Sequence, residues 1–285
     1  MKIIRLFTIL TLFISCNNSI EEKNPILFSE KNYDEAFQLI EYWLNAQKDY
    51  ENLPGLTAMV GDKEGVIWAQ AFGMANEQDL MSVENTFSIC SISKLFTAIA
   101  IMKLVEEQKI KLEDPIDELL PWFDLNQQFK DSPPLTIKSI LTHSSGLPRE
   151  SNHPYWSWPD FPFPTKEDVI NELKNQEMLY PSSKYYQYSN LGLSLLGYVV
   201  EEVSGETFDN YVTKNILAPL NMNSTKTYMS IEEYGEKLSV GYSSINRERE
   251  REKVNFFNAD GIAAAAGFTS NVNDLGKFAA WQIQL

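Results

Sequence analysis

Phe87-Ser88-Ile89-Cys90-Ser91-Ile92-Ser93-Lys94-Leu95-Phe96-Thr97 sets a serine and a lysine three residues apart, where a polar segment gives way to the apolar run 95–105. Three residues is close to one helical turn, so Ser91 and Lys94 should project together from the start of a buried helix. A helix start offers free backbone N–H groups and the positive end of the macrodipole, which favour an alkoxide and help a nearby lysine to lose its proton. An amine kept neutral in this way can take the hydroxyl proton of a serine. The plainer alternative is a polar helix start, with Ser91 or Ser93 as N-cap and Lys94 solvated.

Around this stretch, the 285 residues are 44% hydrophobic and 12% aromatic, enough for one large domain or two interlocked lobes and not the composition of a disordered chain. A formal charge of −15 argues against a nucleic-acid partner. Cysteine occurs twice, at Cys16 and Cys90, so no disulfide framework is implied. Two histidines without a His-Glu-x-x-His motif leave too few ligands for a catalytic metal, and no cofactor is expected. A Gly-x-Ser-x-Gly elbow is absent too, which disfavours an α/β-hydrolase.

The amino terminus has the form of an export signal. Met1-Lys2-Ile3-Ile4-Arg5 is basic, and residues 6–14 form an apolar run too short to span a bilayer. Residues 1–15 are therefore expected to be a signal peptide, and Ser15-Cys16 resembles the cleavage and lipidation site of a bacterial lipoprotein. Residues 16–24 would then form a lipidated tether that holds the protein on a membrane of the bacterial cell envelope. An ordinary signal peptide with an incidental cysteine is the alternative.

From residue 25 onward the pattern is that of a folded domain. Ala36, Phe37, Ile40, Trp43 and Leu44 predict an amphipathic packing helix. Residues 56–60 and 66–72 predict a hairpin joined by Gly61-Asp62-Lys63-Glu64-Gly65. The helix after Ser91 should run to about Gln108 and be central, because it is apolar on nearly every face. A further helix over residues 135–141 should end at Thr142-His143-Ser144-Ser145-Gly146-Leu147-Pro148. His143 has no acid at a spacing that would orient it, so a structural hydrogen-bonding role is favoured over that of a base. Residues 153–164 hold Tyr155, Trp156, Trp158, Phe161, Phe163 and several prolines; such a loop could wall a cleft or pack over the surface. Thr165 should cap a short helix. The alternating charges of residues 247–253 read as a solvated loop, residues 263–267 as a small apolar segment suited to close backbone approach, and residues 273–283 as a last amphipathic helix.

A second informative stretch is Tyr180-Pro181-Ser182-Ser183-Lys184-Tyr185-Tyr186-Gln187-Tyr188-Ser189-Asn190-Leu191-Gly192, a tyrosine-rich turn leading into an apolar helix. Tyr188 and Asn190 fall where loop meets helix. A tyrosine placed there could relay a proton if a lysine ammonium lies close. Tyr-x-Asn is a weak pattern alone, since Tyr50-Glu51-Asn52 fits it as well.

Taken together, Ser91-Ile92-Ser93-Lys94, Leu141-Thr142-His143-Ser144-Ser145-Gly146-Leu147, Tyr188-Ser189-Asn190-Leu191-Gly192 and Gly267-Phe268-Thr269-Ser270 followed by Asp274-Leu275 resemble, in order and spacing, the serine β-lactamase-related proteins. That group holds class C β-lactamases, low-molecular-weight penicillin-binding proteins and related esterases. The resemblance implies an α+β fold in which an antiparallel sheet is flanked by helices, with a mostly helical lobe beside it and the site between them. The α/β lobe would take about residues 25–115 and 225–285, the helical lobe about residues 116–224. It also implies roles: Ser91 the acylated nucleophile, Lys94 the lysine beside it, Tyr188 the proton-shuttling tyrosine, Asn190 the asparagine that hydrogen-bonds substrate, and the Ser91 N–H half of an oxyanion hole. Either Lys94 or Tyr188 could be the first base.

The pattern departs from the family's in three places. Cys90 precedes the serine where glycine or alanine is common, and Ser182 stands where glycine is common. The family's third motif, Lys or His followed by a small residue and glycine on an inner strand, has no match, because Lys226-Thr227-Tyr228 lacks the glycine and comes too early. The expectation is a C-terminally truncated chain that lacks that strand. The function implied is that of a serine hydrolase acting through an acyl-enzyme on a small-molecule or peptidoglycan-peptide substrate with an amide, β-lactam or ester carbonyl. A non-catalytic penicillin-binding or receptor-like protein is the alternative.

Overall fold

The computed structural model describes residues 33–153, 155–157 and 160–285; the expected signal peptide, Cys16 and Trp158 lie outside the described residues. Helix α1 (Asp34–Tyr50) is longer than its periodicity predicts and packs less deeply. Phe37 stacks on Trp68, with ring centroids 5.7 Å apart, and the Trp68 indole donates to Glu41 at 3.0 Å. No residue of α1 is buried, and Trp43, expected at the contact, is exposed. The hairpin forms from β1 (Gly55–Asp62) and β2 (Gly65–Gly73), paired antiparallel from Gly55↔Gly73 to Asp62↔Gly65 with a shift of register at Val60/Gly61. The expected five-residue connection is thus a tight turn at Lys63 and Glu64, in which the Asp62 carboxylate accepts the Glu64 N–H at 2.8 Å. Gly73 has φ +76°, and a Cβ there would lie 2.2 Å from the Pro54 carbonyl oxygen, so the hairpin closes only on glycine.

Strand β3 (Phe87–Ser88) runs through a 3₁₀ turn at Cys90–Ile92 into α2 (Ser93–Glu106). Phe96, Ala100, Ile101 and Leu104 of α2 are fully buried, whereas Leu95 and Met102 are exposed. The helix is therefore central along one face, not all round as its composition suggests. Short helices α3 (Ile116–Leu119), α4 (Ile137–Leu141) and α5 (Lys166–Leu173) follow. Thr136 and Thr165 close capping boxes at the last two, as the threonine-before-helix pattern predicts for α5.

Helix α6 (Asn190–Ser204) is buried without interruption from Asn190 to Val200 and ends on Gly205. After α7 (Phe208–Val212), the chain forms α8 (Ala263–Ala266), which crosses α6 so closely that a Cβ on Gly197 would stand 2.4 Å from Cβ of Ala264. This is the close approach expected of residues 263–267. Strand β4 (Thr269–Ser270) pairs antiparallel with β3, and α9 (Val272–Gln284) packs on β1 and β2. Phe96 bridges these parts, with its ring 5.2 Å from Phe268 and 4.6 Å from Phe278. The result is the expected α+β arrangement of antiparallel pairs and helices around a shared hydrophobic core. The charged run 247–253 is less free than its composition suggests, because Arg251 donates to the carbonyls of Glu51 and Asn52, each at 2.9 Å, just past the end of α1.

Candidate active site

The antiparallel pair β3–β4 fixes the turn that carries Ser91. Beyond that pair the Ile89 N–H donates to the Phe268 carbonyl at 2.9 Å. Cys90 then takes φ +42°, a conformation uncommon outside glycine, which matches the family's preference for a small residue there. Ser93 holds the turn closed: its hydroxyl donates to the Cys90 carbonyl at 2.5 Å and accepts the Phe268 N–H at 3.1 Å. Ser93 is therefore a buried tie between turn and strand, and α2 has no side-chain N-cap.

Ser91 itself is exposed, while Lys94, one turn on, is buried. The Lys94 ammonium donates to Ser91 Oγ at 3.3 Å and to the Ala265 carbonyl at 2.7 Å. The Tyr188 hydroxyl donates to the same Ser91 oxygen at 2.8 Å, and Lys94 Nζ lies 4.8 Å from the centre of the Tyr188 ring. Burial pushes Lys94 below the ordinary lysine value of 10.5, against the opposing pull of Tyr188 and Glu150. Desolvation, and not the helix start that the sequence pattern suggests, is the main cause of that effect. Tyr50 and Asn52, the competing Tyr-x-Asn, lie at the exposed end of α1.

Tyr188 and Asn190 are placed by the segment that ends α4. The Gln187 N–H donates to the His143 carbonyl at 2.7 Å and the Asn190 N–H to the Arg149 carbonyl at 2.8 Å. The Ser189 hydroxyl donates to the Pro148 carbonyl at 2.6 Å and caps α6 by accepting the Gly192 N–H at 2.9 Å. His143 Nδ1 accepts the Ser189 N–H at 3.2 Å, the structural role its sequence setting favours. Burial and the charge of Lys94 hold its imidazole below the ordinary 6.5.

Asn190 is buried at the first position of α6. Its Nδ2 donates to Glu150 Oε1 at 2.7 Å, and its Oδ1 has no partner among the described residues. The sequence reading passed over Glu150. The Trp156 indole N–H donates to Oε1 at 3.0 Å and the Tyr155 hydroxyl donates to Oε2, so the described part of the aromatic loop is tied to this carboxylate. Burial, with Glu150 adding to it, raises the Tyr155 phenol well above its usual range. The available signal was compositional: an acid directly after the Gly-Leu-Pro-Arg turn, followed by two indole- or phenol-bearing residues that need acceptors.

A separate cavity of about 290 Å³, lined by residues that include Tyr198, Asp209, Tyr228 and Asp260, contains none of Ser91, Lys94, Tyr188 and Asn190. The chemistry is better located by the convergence of Ser91, Lys94 and Tyr188 than by the hollow. Among the described residues there is no group of three or more His, Cys, Asp or Glu side chains able to hold a metal ion, and no helix is long and apolar enough to cross a membrane.

The fold is of the β-lactamase/transpeptidase-like class, with helices around small antiparallel sheets and the Ser91 turn joining β3 to α2 and packed on α8. The chain belongs to the beta-lactamase family, whose description matches residues 43–285. It is 27% identical over 237 residues to beta-lactamase-like protein 2 of Dictyostelium discoideum, covering 79% of this chain and 42% of that protein. It is also 27% identical to penicillin-binding protein 4* of Bacillus subtilis, covering 78% of this chain and 51% of that one. The octameric penicillin-binding protein homologue from Pyrococcus abyssi superposes with a TM-score of 0.73 at 29% identity, over 87% of this chain and 56% of that chain. The chain thus spans about half the length of the curated relatives it matches.

Proposed function

We propose that this protein is a serine hydrolase that works through an acyl-enzyme on Ser91. The observation that carries this reading is that one exposed hydroxyl, Ser91 Oγ, is bonded by both the Tyr188 hydroxyl and a buried Lys94. Deprotonating a serine needs a base in hydrogen-bond reach, and both candidates are in reach. In the proposed sequence, the Ser91 proton passes to the Lys94–Tyr188 pair as Oγ bonds to the carbonyl carbon. The tetrahedral adduct then expels its amine or alkoxide, which takes that proton. Water attacks the ester left on Ser91 and releases the acid. The printed names of the relatives, β-lactamase-like and penicillin-binding, support amide, β-lactam or ester substrates, including peptidoglycan-type peptides. The leader and Cys16 support an exported protein held on the envelope by a lipid.

A fluorescent penicillin or a fluorophosphonate should label the protein at Ser91, and Ser91→Ala should take no label. Persistent labelling of that variant would place the nucleophile elsewhere. A retained penicilloyl label with no hydrolysis of ester or peptide substrates would identify a penicillin-binding receptor instead of a hydrolase. Metabolic incorporation of a labelled fatty acid, abolished in Cys16→Ala, tests the anchor.

A further inference from the structure

Glu150 has no part in the reaction outlined above, yet it sits where three pieces of the site meet. Asn190 Nδ2 reaches its Oε1 at 2.7 Å from the start of α6, and the Trp156 indole N–H reaches the same oxygen at 3.0 Å. The Tyr155 hydroxyl donates to Oε2, and Arg149 Nε lies 3.1 Å from Oε1 at the exposed side. The backbone at Glu150 is pinned as well, its carbonyl accepting Gln176 Nε2 at 2.9 Å. Every one of these partners donates.

An ionised carboxylate can only accept, so the amide of Asn190 must turn its NH2 edge toward Glu150. The two edges of an asparagine amide have nearly the same shape, and without a neighbour of fixed polarity either could face this position. With Glu150 in place the choice is made, and Oδ1, buried and without a partner among the described residues, is fixed as an acceptor. The same carboxylate holds Tyr155 and Trp156, so the aromatic segment and the start of α6 are set relative to each other by one group.

Building on the acyl-transfer reading, we propose that Glu150 is a positioning residue of this site. It fixes which edge of the Asn190 amide the site receives and clamps the Tyr155–Trp156 segment beside it. It acts through Asn190 and the aromatic pair, beside the pull of its charge on Lys94, with no bond to Ser91 made or broken by it.

The test is the rate at which a fluorescent penicillin or a fluorophosphonate labels Ser91, read beside the thermal midpoint. Glu150→Ala should label about a hundredfold more slowly, the loss that misplacing a group at a reacting centre brings. Glu150→Gln still offers a carbonyl oxygen to Asn190 and should keep most of the rate. Asn190→Asp sets two carboxylates face to face and should be slow. Combining Glu150→Gln with Asn190→Asp restores a donor–acceptor pair of reversed polarity at unchanged net charge, and should label about tenfold faster than Asn190→Asp alone. That swap truncates neither side chain, so it answers the question even if Glu150→Ala does not fold. A swap no faster than Asn190→Asp, or a folded Glu150→Ala that labels like the wild type, overturns the assignment of Glu150 while leaving Ser91 in place. A wild type that takes no label overturns the acyl-transfer reading and this assignment together.

Discussion

The backbone N–H of Ser189 donates to Nδ1 of His143 at 3.2 Å, so the residue that follows Tyr188 is held by an imidazole lone pair. The Gln187 N–H, on the other side of Tyr188, goes to the carbonyl of the same histidine. The two rings lie 4.6 Å apart. Tyr188 is thus suspended between two tethers to one residue, and the one accepted by Nδ1 exists only while that nitrogen carries no proton.

That condition gives a pH dependence whose sign can be worked out. An unfolded histidine titrates near 6.5, and burial with the nearby Lys94 charge lowers the value in the folded protein. Between the two values the unfolded chain binds more protons, so stability rises with pH there. The contribution is complete above 6.5 and is lost as pH falls through the lower, folded value. Thermal midpoints measured between about pH 5 and 8 should fall on the acid side in the wild type. They should change less steeply in His143→Gln, which keeps an acceptor but does not titrate. Equal slopes for the two proteins would mean that His143 is not the group responsible.

Lys94 carries the second pH effect. Its ammonium is held below 10.5, chiefly by burial, so more of the free amine is present at neutral pH than for a surface lysine. The rate of Ser91 labelling should therefore climb with pH to a plateau, with an apparent midpoint below 10.5. Since Lys94 and Tyr188 share Ser91 Oγ, that midpoint belongs to the pair and not to either residue. Lys94→Arg keeps the charge but cannot yield a proton in this range; its labelling should be lost across the whole range, the wild-type plateau included. A Lys94→Arg variant that still labels with the wild-type profile would remove Lys94 from the proton path.

What could be read from the sequence follows from the range of the interactions. The placement of Ser91, Lys94, Tyr188 and Asn190 at loop-to-helix junctions was legible because each junction is marked by local chemistry, and their order along the chain resembles that of a known family. The cap Thr165 and the hairpin belong to the same local grammar. Glu150 was only partly legible: Tyr155 and Trp156 follow it closely in the chain, but its link to Asn190 joins separate segments. The burial of Lys94 likewise depends on the carbonyl of Ala265, 171 residues away. Hydrophobic composition misled in two places: it over-read α2 as buried all round, and it buried Trp43 of α1. Periodicity shows which residues could be covered and not what covers them.

The crossing of α6 and α8 gives a packing prediction. Gly197 and Ala264 stand so close that a methyl group at 197 would meet Cβ of Ala264 at 2.4 Å, and both lie on helical backbone that cannot shift freely. Gly197→Ala should lower stability by about 1–3 kcal/mol, the usual cost of an overfilled core, read as a lower urea midpoint with unchanged slope. Adding Ala264→Gly vacates the space and should recover part of the loss. A Gly197→Ala variant as stable as the wild type would show that the crossing relaxes at little cost.

Two serines two residues apart should separate chemistry from architecture. Ser91 is exposed, and among the described residues its side chain holds no bond beyond those from Lys94 and Tyr188. Ser91→Ala should leave stability within about 0.5 kcal/mol of wild type while abolishing labelling. Ser93 is fully buried, and its hydroxyl joins the Cys90 carbonyl to the Phe268 N–H across the β3–β4 junction. Removing it strands a buried donor at Phe268, so Ser93→Ala should cost about 1–3 kcal/mol. Labelling at Ser91 should slow without vanishing, because the turn at Cys90 loses the clasp that sets the direction of the Ser91 hydroxyl. Ser93→Thr keeps the oxygen and should restore most of both quantities where the extra methyl group is accommodated. Urea melts and labelling rates on the three variants decide the matter. A Ser93→Ala protein of wild-type stability, or one that loses all labelling while remaining fully folded, would show that the two serines do not divide the work in this way.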